Sequence, residues 1–142
     1  ATRMFKTTTL QFRAETLLQA GRAPEAAQAI DAAIEACASS GDRQWEPELW
    51  RVKGIVLRES GTGRASRSMA EECFRHALEL AQRMGARSLA LRAATSLAGL
   101  WRDQGKAREA RDLLAPIRAQ FSEGFDTPDL QDAKDLLDRC SD

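Results

Sequence analysis

Imidazole, thiol and surplus charge are all scarce in this 142-residue chain, and each scarcity closes a functional route. There is one histidine, His76, beside Phe74 and Ala77. A metal centre or an acid–base site needs a constellation, and a lone imidazole next to a packing motif reads as a surface or edge residue. The three cysteines, Cys37, Cys73 and Cys140, are odd in number and far apart. A chain of this size folds without staples, so reduced thiols and a cytoplasmic setting are expected. Lys plus Arg and Asp plus Glu number 21 each, which withholds the basic excess that nucleic-acid binders use against phosphates. No run of 18 apolar residues exists to span a bilayer. The opening Ala1 to Leu10 lacks an initiator Met and a basic-then-apolar signal pattern, so we expect a piece of a longer protein. Runs of β-branched residues are nearly absent, which argues against strands.

The chain is rich in Ala, Leu, Arg, Glu and Gln, all good helix formers, with apolar residues at helical spacing. Glycine and proline mark the joints: Gly21 with Pro24, Gly41 with Pro47, Gly61 with Gly63, Gly85, Gly105, and Gly124 with Pro128. This punctuation predicts helices near 4–20, 23–38, 46–60, 67–84, 87–104, 107–121 and 128–140. The length fits one all-α domain over 1–142. Gly61 to Ser68 is polar and glycine-bearing and reads as a flexible loop. Thr127 is placed to cap the last helix, with Pro128 at its first position and Asp129 near the positive end of its dipole. That helix carries one apolar stripe, Leu130, Ala133, Leu136 and Leu137, and suits the closing of a stack.

Two segments align without gaps, Gly21-Arg22-Ala23-Pro24-Glu25-Ala26 and Gly105-Lys106-Ala107-Arg108-Glu109-Ala110. Ile30 and Ala33 follow the first, and Leu114 and Ile117 follow the second, at matching offsets. The middle of the chain repeats the spacing with Ala70, Phe74 and Ala77, preceded by Trp50, Gly54 and Leu57. Small residues let helices approach closely, and large ones fill the volume around the contact. The repeat lengths are 44 residues from Ala26 to Ala70 and 40 from Ala70 to Ala110.

This spacing resembles the tetratricopeptide-repeat (TPR) family, whose usual period is about 34 residues. The resemblance covers roughly residues 5–140, as helix pairs at about 4–38, 46–84 and 87–121 with a capping helix at about 128–140. Glu48 to Gly54, Ala86 to Ala98 and Phe121 to Leu130 are similar to the TPR region that ends bacterial ATPase and adenylate cyclase-like signalling proteins. The resemblance implies a right-handed superhelix and a C-terminal sensor or scaffold role in such a protein. Leu10, Arg13, Ala14 and Leu17 depart from the motif in the first repeat, and Lys53 stands at a usual Leu in the middle one. The chain contains no Asn, so the Lys and Asn clamp of TPR co-chaperones is not carried over.

No catalytic set is legible. Gly61-Thr62-Gly63-Arg64 has no preceding strand and no Lys-Ser/Thr pair, so phosphate binding is not expected. Glu71 and Glu72 are adjacent and diverge by about 100° on a helix. We expect neither an enzyme, a metal nor a cofactor. Cys37 and Cys73 read as buried small hydrophobes, while Cys140, near the chain end, leaves room for exposure. Trp101 is expected in the core, and Trp45 as a hydrophobic staple or interface anchor.

Protein binding is the better expectation. First helices of stacked pairs line the concave face. In the motif register the concave positions are Gln11 and Glu15, then Arg51, Ile55 and Arg58, then Arg92, Thr95, Gly99 and Arg102. Arg51, Arg58, Arg92, Thr95 and Arg102 form the candidate partner-binding set, since arginine captures carboxylates bidentately. The same arginines also fit a merely solvated helix face. The partner would be a protein, a peptide or a neighbouring domain, with no nucleic acid or membrane involved. Alternatively the chain is a self-associating spacer that dimerises its parent through Phe5 and Phe12, beside Met4, on the first helix.

Overall fold

The computed structural model describes residues 2–41, 43–61, 63–121 and 127–140, with side chains from Gln11 onward. The described residues form seven α-helices and no strand. They are α1 (Thr2–Gln19), α2 (Ala23–Ser40), α3 (Glu46–Ser60), α4 (Arg64–Met84), α5 (Arg87–Asp103), α6 (Ala107–Arg118) and α7 (Pro128–Cys140). The chain is all-α. It divides into two compact units, Ala1–Ala77 and Leu78–Asp142, with the boundary inside α4.

The two aligned segments fold into the same turn. Gly21 takes φ 78° and Gly105 φ 80°, a left-handed conformation open to glycine without a Cβ penalty. The Arg22 N–H donates to Leu17 O at 2.8 Å and the Gly21 N–H to Leu18 O at 3.0 Å. Lys106 to Trp101 O at 2.8 Å and Gly105 to Arg102 O at 3.0 Å repeat the pattern, which satisfies the last carbonyls of α1 and α5. Ala86 to Ala81 O at 2.9 Å makes a third copy after α4, at Gly85.

In the first unit α1, α2 and α3 pack on one another. Their core is Ala14, Leu17, Ala26, Ala29, Ile30, Ala33, Cys37, Leu49, Val52 and Val56. The repeat positions Gly54, Ala70, Phe74 and Ala77 are all buried, as their spacing requires. In the second unit α7 packs on both α5 and α6, burying Leu130, Ala133 and Leu136. Its cap is the expected one: the Leu130 N–H donates to Thr127 Oγ1 at 3.4 Å.

Several expectations need correction. Residues 64–68 are helical rather than a loop, because Gly63 O already accepts from the Arg67 N–H at 3.3 Å and Arg, Ala and Ser tolerate a first turn. Helix α6 stops at Arg118, two residues after Pro116, whose missing N–H weakens the last turn. Cys140 is buried, since it continues the α7 stripe one turn beyond Leu136. Trp101 is only half-buried, in the last turn of α5. Trp45 lies at the α3 N-cap, 38 % exposed.

Candidate functional site

The candidate residues divide between the two units. Arg51 and Arg58 stand on α3 in the first, and Arg92, Thr95 and Arg102 on α5 in the second. All five are half-buried, as are Gln11, Glu15, Ile55 and Gly99. A stripe with this uniform partial burial follows from helical spacing at the margin of a packed face.

Two of the four arginines, Arg51 and Arg92, already hold carboxylates closely. Arg51 Nε donates to both oxygens of Glu48 at 3.1 Å, and its Nη2 also bonds Glu48 Oε1. Glu48 is 3 % exposed, and a carboxylate that deep in an apolar helix face needs a charged partner. Arg92 Nε donates to Asp129 Oδ1 at 3.1 Å and Oδ2 at 3.0 Å, tying α5 to the first turn of α7. Arg102 Nη1 lies 4.0 Å from Asp103 Oδ1, a loose surface pair. Arg58 occupies the last turn of α3, where a cation complements the helix dipole. The Thr95 hydroxyl donates to Leu91 O at 2.8 Å, which leaves its lone pairs to accept. Arg51, Arg92 and Thr95 are therefore fixed in direction. Glu48 and Asp129 would have to be displaced or bridged by any incoming carboxylate.

A second polar group lies in the first unit. Lys53 Nζ is 3.1 Å from Asp31 Oδ1 on α2 and 5.2 Å from the centre of the Trp50 ring. The His76 ring meets Trp50 edge to face at 4.7 Å with an interplanar angle of 89°. Lys53 thus occupies its motif position by bridging two helices while its ammonium lies over the indole. Trp50 Nε1 is buried without an acceptor among the described residues. The only signal for this cluster in the sequence is Lys53 at an apolar place in the motif; Asp31 gives none.

Cys37 and Cys73 are buried, as expected. Burial pushes the Cys73 thiol up, against the lowering charge of Lys53 and with smaller raising contributions from Glu72 and Asp31. A thiol so placed stays protonated and unreactive. No group of three or more His, Cys, Asp or Glu among the described residues has the arrangement of a metal site. No helix among them is long and apolar enough to cross a membrane. Of the proposed self-association residues, Phe12 is 70 % exposed, while the side chains of Phe5 and Met4 lie outside the described residues.

Compared with known proteins, the chain matches no protein-family model and no curated protein.

Proposed function

We propose that this chain is a non-catalytic TPR-type protein-interaction module, serving in the cytoplasm as the C-terminal regulatory or scaffold part of a larger bacterial signalling protein. One observation carries the reading. Helix α5 presents Arg92, Thr95 and Arg102 together at a half-buried margin, with Arg92 anchored by Asp129. Side chains held in place before a partner arrives lose less entropy on binding, and arginine is over-represented in interface anchors. The sequence repeats at Gly21 and Gly105, folded into identical turns, support the repeat assignment.

The test places a photo-crosslinking residue at Thr95 in the source cell, identifies the captured protein, and measures its binding to the purified chain. Charge reversal at Arg92 and Arg102 together should abolish that binding while leaving oligomer size unchanged. Undiminished binding by the double variant would end this reading.

The exposed Phe12 favours a second reading, a self-associating spacer that dimerises the parent protein. In that case Phe12→Ser changes the oligomer size, and the arginine variants do not.

A further inference from the structure

A cavity of about 320 Å³ lies in the second unit, where the ends of α4 and α6 meet the start of α5. Its size sits at the lower end of the range for ligand sites. Three polar side chains line it: Gln82, Arg87 and Gln120. All three are exposed, so the cavity is reached from solvent on that side. Ala81, Ala90 and Ile117 supply apolar wall, and each of these is buried.

Arg87 differs from the arginines of the α3 and α5 margins. Arg51 and Arg92 already hold carboxylates, whereas the Arg87 side chain forms no ion pair or hydrogen bond with the described residues. Helix α5 has no acidic residue in its first turn to neutralise it. A guanidinium at the edge of a cavity with one apolar wall, flanked by two neutral amides, matches one negative charge carried on a hydrocarbon stem. A phosphate dianion would bring twice the charge and nothing for the apolar wall to cover.

We propose that this cavity anchors the glutamate side chain of an acidic peptide segment. Its carboxylate pairs with Arg87, its methylenes lie against Ala90 and Ile117, and the Gln82 and Gln120 amides supply further donors. The site shares no residue with the Arg92, Thr95 and Arg102 margin, so the two readings stand or fall separately.

A nitrogen-15 NMR titration of the whole chain tests this. The probe is a short acetylated, amidated alanine peptide with a central Leu-Glu pair. Its partner probe carries Gln in place of that Glu, and glutarate and inorganic phosphate are titrated alone. The Glu peptide should shift the amides of Gln82, Gly85, Ala86, Arg87, Ala90 and Gln120. The Gln peptide should bind about tenfold more weakly, the usual worth of one charge-assisted hydrogen bond. Arg87→Ala should weaken the Glu peptide by a similar factor, Arg87→Lys should keep part of the affinity, and Arg22→Ala, in the other unit, should leave it unchanged. Because Arg87 is exposed, retained spectral dispersion will show that its variants fold.

Equal binding of the two peptides, an unaffected Arg87→Ala, or no shifts at millimolar peptide would overturn the proposal. Shifts confined to Arg92, Thr95 and Arg102 would overturn it while supporting the margin as the docking face. Glutarate or phosphate binding as tightly as the peptide would mark a site for free anions, which also defeats the peptide assignment.

Discussion

Phe74 occupies the space where a side chain at Gly54 would begin: a Cβ built there lies 2.5 Å from Phe74 Cε1 and 2.7 Å from Cδ1. Both residues are buried, and the ring covers the α3 backbone directly. This contact is the physical content of the small-then-large spacing in the middle repeat.

Gly54→Ala should therefore destabilise the chain by about 1–3 kcal/mol, the range for overpacking a well-filled core. Urea unfolding followed by circular dichroism reads the change. Phe74→Leu in the same chain should recover part of the loss, because the two substitutions act on one contact.

Breaking the Glu48–Arg51 pair should cost more than its surface position in sequence suggests. Arg51→Met keeps the stem but strips the buried carboxylate of this partner, with an expected loss of about 3 kcal/mol. Adding Glu48→Gln should restore much of it. Guanidinium midpoints of the two single variants and the double variant supply the cycle.

Cys73 should make stability fall at high pH. Its thiol is raised above the ordinary value of 9.0 by burial in the folded chain. The unfolded chain therefore ionises first, so this contribution is intact below 9.0 and declines as pH rises past it. Stability curves from pH 7 to 10 should be flatter above that point for Cys73→Ala than for the wild type. Identical slopes in the two chains would refute the assignment.

Thr127→Ala removes the side-chain acceptor at the start of α7 and should cost about 1 kcal/mol. Asp129→Asn, at a partly exposed pair, should cost less, no more than about 1 kcal/mol, and its effect should shrink in high salt. Hydrogen exchange should quicken in α7 before it does in α2.

Phe12→Ser should leave stability within about 0.5 kcal/mol, as for exposed positions generally. Sedimentation velocity against concentration then separates the spacer reading from the docking reading.

The amino-acid sequence by itself determined the helices and most of their joints. Bounds for α3 and α7 were legible to the residue, because caps, turn glycines and a 3.6-residue period all act within a few positions. Burial of Gly54, Ala70, Phe74 and Ala77 was legible for the same reason, since spacing alone selects the face of a helix. Tertiary structure decided which charges meet. Arg92 finds Asp129 across 37 residues, and Lys53 finds Asp31 on another helix. The arginines read as a basic margin turned out to be partly neutralised from within, and the Arg87 cavity carries no sequence signature at all. Periodicity tells which side of a helix faces inward. What stands opposite that side depends on how several helices pack against one another, and no local pattern encodes it.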